Sequence, residues 1–358
     1  MFKSEGVAAL AKTHARTFKK LVDLERQLND RFAGLAEPIA ALVLSLAAGE
    51  ALLLIGPPGT AKSRLIRAFC QCVGLLRDED MSPPKAANGR ESPRSSKARP
   101  AAGESGRYFE YLLTQFTEPG ELFGFYDLAA LQPPQAELRR DDSGMMQHAR
   151  VVFLDEVFNA SSAILNSLLA FMNERKFHDR GKANPVKLEY LVGATNDVPT
   201  SPELRAFFDR FLMRAWVHSV PADTKSVGDL LKAGWKETHA APTMGGDFTS
   251  LLDELRTFRD ALDTMTRDKT LAVDPDPAIM SLIADRVSAA RETGASAMSN
   301  RRLVGFAKIV LIQALLRGAR DQKASSPRIE PGDIDVLLRF GVDRRDDGLD
   351  DRHRGTLA

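Results

Sequence analysis

Cysteine is nearly absent from this chain: its 358 residues contain two, Cys70 and Cys72. Two cysteines cannot build a disulfide framework. Their C-x-C spacing sends the thiols to different sides of a helix, unlike the C-x-x-C of redox or zinc pairs. Both read as buried structural thiols of a reducing compartment. A dominant charge sign is missing as well, with 49 Lys and Arg against 48 Asp and Glu, a formal net charge of +1. No global field therefore favours nucleic acid or an anionic membrane surface. The six histidines (His14, His148, His178, His218, His239 and His353) are scattered without metal-ligand spacing. No apolar run reaches the roughly 20 residues of a bilayer span. The longest, Ile39 to Ile55, is interrupted by Gly49-Glu50 and closed by Gly56-Pro57-Pro58. Met1-Phe2-Lys3-Ser4-Glu5 lacks the apolar core of a secretory signal. A cytoplasmic protein with no membrane insertion is expected, and no repeat of solenoid type is found.

What is present is an ordinary globular balance, 44% hydrophobic and 27% charged, over a length that suits two packed units. Leu10 to Phe32 reads as a charged amphipathic helix, and Pro38 to Ala47 as a helix with an apolar face. Ala51 to Ile55 is a short apolar run ended by Gly-Pro-Pro, the pattern of a buried strand. Similar runs recur at Tyr108 to Leu113, Val151 to Leu154 and Tyr190 to Thr195, with Met213 to Val220 as a fifth. Helical patterns at Ser63 to Leu76 and Ser161 to Arg175 separate them. This alternation predicts a parallel sheet covered on both faces, an α/β unit over residues 1–220. Residues 77–106, rich in Pro, Ser, Ala, Gly and Arg, lack hydrophobic period and read as a disordered insertion. Beyond Pro221 the strand signals stop. Leu251 to Met265, Pro277 to Arg291, Arg301 to Arg317 and Pro331 to Arg339 predict a small all-α unit over 221–342. Residues 343–358 form a charged tail.

Three segments carry chemistry. Gly56-Pro57-Pro58-Gly59-Thr60-Ala61-Lys62-Ser63 lies between a buried strand and a helix, the context a phosphate-binding loop requires. Its backbone N–H groups and the helix N-terminus would wrap a β-phosphate. Lys62 would neutralise β- and γ-oxygens, and the Ser63 hydroxyl would coordinate Mg²⁺. Ala61 stands where the strict pattern has glycine; close phosphate approach is expected to survive if the backbone there stays right-handed. Val151 to Glu156 is an apolar strand ending in two acids, and desolvated carboxylates need a reason. Asp155 holding Mg²⁺ and Glu156 polarising the attacking water supply one. Tyr190 to Asn196 is a further buried strand that delivers an amide at its end. There Asn196 could bond both the γ-phosphate and the attacking water. The ends of three strands thus converge on one nucleotide, ATP, since no N-K-x-D guanine-reading motif is found.

These motifs, in this order, resemble the Walker A, Walker B and sensor 1 elements of AAA+ ATPases. Ala before the lysine resembles the MoxR family, particularly its RavA-like branch. The similarity extends to Tyr108 through Gly124, which leads into the branch's helix-2 insert (here 120–150), and to Glu156 through Phe177 after the Walker B strand. Phe208 through Trp216 resembles the arginine-finger segment, and Ser299-Asn300-Arg301-Arg302 the sensor 2 turn. The resemblance implies a P-loop NTPase with a parallel five-stranded sheet, a helix-2 insert and a small all-α lid, nucleotide lying between sheet unit and lid. It assigns Arg210 as the finger reaching a neighbour's γ-phosphate, with Arg214 as alternative because (i, i+4) spacing could put both on one helical face. It assigns Arg301 as the sensor 2 arginine reading nucleotide from the lid, with Arg302 as substitute. A homo-oligomeric ring, most often a hexamer, is implied, acting as a chaperone-like remodeller with a von Willebrand factor A-domain partner. The C-terminal β-rich partner-binding region of RavA-like proteins is expected to be lacking. Two other classes compete. A DNA-directed motor shares the helix-2 insert but fits the near-neutral charge poorly. A scaffold or switch that binds ATP and hardly hydrolyses it fits poorly with Asp155, Glu156, Asn196 and Arg210 all in place.

Overall fold

In the computed structural model, residues 2–77, 108–127, 139–179, 181–239, 247–274, 276–321 and 328–343 are described. The predicted insertion, but for Arg77, and the tail beyond Asp343 lie outside them. Nine strands are found among the described residues: β1 (Leu52–Ile55), β2 (Tyr108–Leu112), β3 (Phe125–Asp127), β4 (Arg139–Asp141), β5 (Val151–Asp155), β6 (Lys176–Asp179), β7 (Lys182–Pro185), β8 (Tyr190–Thr195) and β9 (Met213–Trp216). Five form one sheet in the order β2-β5-β8-β1-β9, every pair parallel. This is the expected doubly covered α/β sheet. The register sets Leu52 beside Val192 and Met213, so all five strands begin at one edge and end at the other.

Side chains alternate across that sheet with the period of two that a strand imposes. Leu52, Leu54, Val151, Phe153, Tyr190 and Val192 enter one buried cluster, while Leu53, Ile55, Val152, Leu154 and Leu191 enter a second on the opposite face. The first face is covered by α1 (Ser4–Thr13), α2 (Ala15–Arg31), α3 (Ala36–Ala48) and α4 (Lys62–Cys72). The second is covered by α5 (Pro119–Phe123), α6 (Ser162–Glu174) and α7 (Pro202–Phe208). Beyond its first turn helix α3 is almost wholly apolar, and Ala41 to Ala48 are all buried because it lies between the sheet and another helix layer. Its one hydroxyl, Ser45, bonds the Ala41 carbonyl at 2.7 Å and the Tyr190 hydroxyl at 2.7 Å.

That outer layer comes from the C-terminal helices: α8 (Thr224–His239), α9 (Leu251–Arg267), α10 (Pro277–Glu292), α11 (Asn300–Asp321), α12 (Pro331–Ile334) and α13 (Val336–Gly341). Helix α11 packs on α2 and α3, α13 packs on β9, and α1 packs on α9. Apolar residues of these helices join the cluster on the first face of the sheet, so one continuous core runs through both halves of the chain.

Three local expectations change. The helix expected over Leu10 to Phe32 is broken at His14 into α1 and α2. There the buried imidazole packs edge-on against Phe258 at 5.3 Å, and the bend lets both helices follow α9. Helix α8 was not among the expected helices, although its sequence is amphipathic. The hairpins β3–β4 and β6–β7 were hidden because their residues are mostly exposed and show no apolar alternation. Cys70 and Cys72 are buried free thiols, as expected. No described helix is long and apolar enough to cross a membrane.

Candidate active site

The phosphate loop leaves β1 and enters α4, and two close approaches fix its start. The Gly56 N–H donates to the Thr195 carbonyl at 3.1 Å. A Cβ on Gly56 would lie 2.0 Å from the Val217 carbonyl oxygen, so only glycine fits. Gly59 takes φ +82 and Ala61 takes φ +63, both left-handed. The expectation of a right-handed Ala61 is thus corrected: the loop needs the same backbone turn a glycine would make, and alanine adopts it at a strain of ~1–2 kcal/mol. Thr60 Oγ donates to the Pro57 carbonyl at 2.8 Å and closes the turn. No side chain caps the N-terminus of α4. Its first N–H groups are therefore available to an anion.

Lys62 is buried and curls back over the loop, donating from Nζ to the Gly56 carbonyl at 2.5 Å, the Pro57 carbonyl at 3.0 Å and Asn196 Oδ1 at 3.5 Å. Burial pulls its pKa down, and the charges of Asp155 and Glu156 oppose that fall. The Ser63 hydroxyl lies 3.3 Å from Asp155 Oδ2. One hydroxyl and one carboxylate at that spacing suit Mg²⁺, which keeps several waters and takes its other ligands from phosphates. Among the described residues no cluster of three or more His, Cys, Asp or Glu could cage a metal.

Glu156 follows Asp155 in a left-handed conformation, φ 51 and ψ 46. Non-glycine residues in that region are concentrated at functional sites. Its Oε1 accepts from Asn196 Nδ2 at 2.5 Å and its Oε2 from Asn159 Nδ2 at 3.3 Å. Burial raises its pKa and Asp155 adds to the rise, while Lys62 and the Asn196 hydrogen bond lower it. Asn196 therefore bridges the ammonium and the carboxylate. The structure gathers Gly56 to Ser63, Asp155, Glu156 and Asn196 at the carboxyl edge of the sheet.

The arginines lie elsewhere. Arg210 sits in the turn between α7 and β9, its Nε buried without a hydrogen-bond partner. That turn precedes β9, which pairs in register with β1, so Arg210 is at the amino edge. Four strand residues at about 3.3 Å each put roughly 10 Å or more between it and its own phosphate loop. Arg301 opens α11 and donates to Asn173 Oδ1 at 2.7 Å, near the C-terminal end of α6 and at the same amino edge. The Ser299–Arg302 turn therefore does not cover the phosphate loop of its own chain.

Arg214 and Arg302 are spent internally. Each is 1% exposed. Arg214 stacks on the Phe208 ring at 3.7 Å, donates to the Phe208 carbonyl at 3.0 Å and pairs with Asp343. Arg302 donates to the Gly341 carbonyl at 2.8 Å, Asp343 at 2.8 Å, Ser296 Oγ at 3.2 Å and the Leu212 carbonyl at 3.4 Å. Burial pushes the Arg302 pKa down to about 10, with Asp209 opposing. Arg210 and Arg214 share no helix, since one lies in a turn and the other in β9.

Two features had escaped the sequence. Asn159 follows Glu156 by three residues in a tight turn, a spacing that alone signals only a turn. An open pocket of about 520 Å³ is lined by Asp30, Gly34, Val220, Pro221, Asp229 and Lys232, among others. Its Val220 and Pro221 follow shortly after Val217, whose carbonyl abuts Gly56 at the start of the phosphate loop. Its walls come from segments far apart in the chain, so no local pattern reveals it.

The chain matches, over residues 19–79 and 96–257, the family described as the MoxR domain in the MoxR-vWA-beta-propeller ternary systems. An uncharacterised protein of Methanocaldococcus jannaschii is 35% identical over 201 residues, 56% of this chain and 44% of that protein. A structural protein of the Acidianus two-tailed virus is 25% identical over 276 residues, 75% of this chain and 40% of its own length. The chain thus spans less than half the length of these curated relatives. A crystal structure from Cytophaga hutchinsonii described as a candidate ATPase superposes with a TM-score of 0.60 at 15% identity, covering 93% of this chain and 88% of that one. With the AAA+ sheet order, the phosphate loop and the matched region together, the chain belongs to the MoxR family of AAA+ ATPases.

Proposed function

We propose that the chain binds Mg²⁺-ATP at Gly56–Ser63 and hydrolyses it within a homo-oligomeric ring. The convergence of Lys62, Ser63, Asp155, Glu156 and Asn196 on one sheet edge carries this reading. The adenine would enter the pocket between Gly34, Val220 and α8. Lys62 would exchange the loop carbonyls for phosphate oxygens, and Ser63 and Asp155 would hold the metal. When bound, Mg²⁺ neutralises charge on the phosphate oxygens. Glu156 would take a proton from the water that attacks the γ-phosphorus as the bond to ADP breaks, and Asn196 would hold both water and carboxylate. Because Arg210 and Arg301 lie at the far edge, each would serve a neighbour's nucleotide, stabilising charge that develops in transfer.

The work done with this hydrolysis is proposed to be the chaperone-like remodelling of a partner protein with a von Willebrand factor A domain. The family description, a MoxR domain from systems that pair it with such a protein, supports that partner. The test separates binding from chemistry. Glu156→Gln should bind ATP with wild-type affinity in calorimetry and turn it over about 10²-fold or more slowly. Near-wild-type turnover would assign the base elsewhere.

A further inference from the structure

Two buried cations share one carboxylate beside the turn that carries Arg210. Arg214 on β9 and Arg302 on α11 are both buried, and both guanidinium groups donate to Asp343 Oδ1, Arg302 at 2.8 Å. The rest of Asp343 is held as well. Its Oδ2 accepts from the Ala297 N–H at 3.3 Å, and its own N–H donates to the Ala295 carbonyl at 2.7 Å. Burial pulls the Arg214 pKa down and the charge of Arg302 pulls it further, while Asp209 opposes. The two cations therefore repel, and a buried charge is tolerated only while a partner matches it. A second carboxylate stands close by. Asp209 Oδ1 lies 4.0 Å from Arg302 Nε, and its Oδ2 accepts from the Ser299 hydroxyl at 3.1 Å.

We propose that Asp343 is a positioning residue for Arg210: by matching both guanidinium groups it keeps them off Asp209, and so fixes the turn from which Arg210 acts. The proposal rests on the ring reading above, in which Arg210 serves a neighbour's nucleotide. Asp209 directly precedes Arg210, and the Arg210 Nε is buried without a hydrogen-bond partner. No bond at that nitrogen fixes the side chain, so the backbone of the turn must place it. Arg214 and Arg302 already hold the Phe208 and Leu212 carbonyls at the two ends of that turn. Once Asp343 loses its charge, Asp209 is the carboxylate left to them. Their shift toward it displaces the residue before Arg210. A displacement of about 1 Å can cost roughly 10²-fold where geometry governs the rate. The chain's own phosphate loop lies at the other edge of the sheet, so its nucleotide binding is untouched.

The experiment uses the full chain with Asp343→Asn, which keeps the side chain's shape and removes its charge. Affinity for a fluorescent ATP analogue should stay at the wild-type value while turnover falls about 10-fold or more. Mixed with Glu156→Gln and allowed to exchange, Asp343→Asn should recover activity, because its intact Glu156 then meets a well-placed Arg210 from the other variant. Mixed with Arg210→Ala it should not, since neither variant supplies such an arginine. Ser299→Ala removes an uncharged bond to Asp209 from the same turn. It should give a milder loss with the same pattern of rescue, and it carries the test if Asp343→Asn does not fold. Wild-type turnover overturns the proposal, as does a loss that comes with weakened nucleotide binding. Rescue by Arg210→Ala overturns it too. So does a loss that Glu156→Gln cannot rescue although it rescues Arg210→Ala, since Asp343 would then serve the fold alone. Failure of Glu156→Gln to rescue Arg210→Ala, with exchange shown independently, overturns the ring reading and the proposal with it.

Discussion

Glu156 and Ala61 both hold left-handed backbone angles, and the two strains have different consequences. At Glu156 the turn aims the carboxylate at Asn196, whose amide supports its charged form. Below its pKa, Glu156 is protonated and cannot accept the proton of water, so kcat/KM should fall as pH drops through that value. Burial and Asp155 hold the value above the ordinary carboxylate range. Asn196→Ala removes an interaction that lowers it, so the acid limb of the kcat/KM profile should move to higher pH as the plateau falls. A limb that stays in place would mean that Asn196 does not tune Glu156. At Ala61 the strain serves only the loop. Ala61→Gly should relieve ~1–2 kcal/mol of it while adding ~0.4–1 kcal/mol of unfolded-chain entropy. A net gain of up to ~1.6 kcal/mol should appear as a higher denaturant midpoint, with nucleotide affinity retained.

The turn between α7 and β9 shows what a segment gains from its neighbours. Phe208 to Leu212 carries Arg210, and buried guanidinium groups grip it at both ends. Arg214 holds the Phe208 carbonyl, Arg302 holds the Leu212 carbonyl, and the Ser299 hydroxyl donates to Asp209 at 3.1 Å. The first turn of α11 is thereby locked to the Phe208–Leu212 turn, and Asp343 ties both arginines to the end of the chain's last described helix. Removing the buried Arg302 side chain leaves a cavity and takes its donors from the Gly341 and Leu212 carbonyls, so Arg302→Ala should lower unfolding free energy by about 2–5 kcal/mol. Arg301→Ala, one residue away but exposed and donating to Asn173, should change it by less than ~1 kcal/mol. Urea unfolding of the two variants compares them directly. Equal losses would contradict the division between a structural Arg302 and an available Arg301.

For the molecule as a whole, the test is whether one chain completes another's site. Arg210→Ala should keep ATP affinity and lose most turnover, roughly 10³-fold or more where fingers act on transition-state charge. Mixed with Glu156→Gln and allowed to exchange, it should recover activity. Some interfaces then pair the intact Glu156 of one variant with the intact Arg210 of the other. ATPase rate plotted against mixing ratio should rise to a maximum between the pure variants. A flat line, with exchange shown independently, would remove Arg210 from the neighbouring site. The distance between the two sheet edges within one chain is the physical ground for expecting rescue.

The phosphate loop, the two carboxylates and Asn196 were legible in the sequence because each depends on local pattern. An apolar run makes a buried strand, and the residues that follow it must emerge at the strand's carboxyl end. Four such strands were therefore placed before any contact was known, and their ends carry the site. The arginines were not legible in this way. Arg210, Arg214, Arg301 and Arg302 have similar sequence surroundings, yet two are buried against carbonyls and Asp343 while two remain at an open edge. A guanidinium's role is set by the groups packed around it, and those come from Phe208, Leu212, Gly341 and Asp343, segments brought together only by folding. The left-handed turn at Ala61 was set the same way, by the loop's entry into α4 rather than by alanine's own preference. Helix α8 makes the point most simply: its sequence specifies two faces, and only packing against α2 decided that the polar one would turn inward.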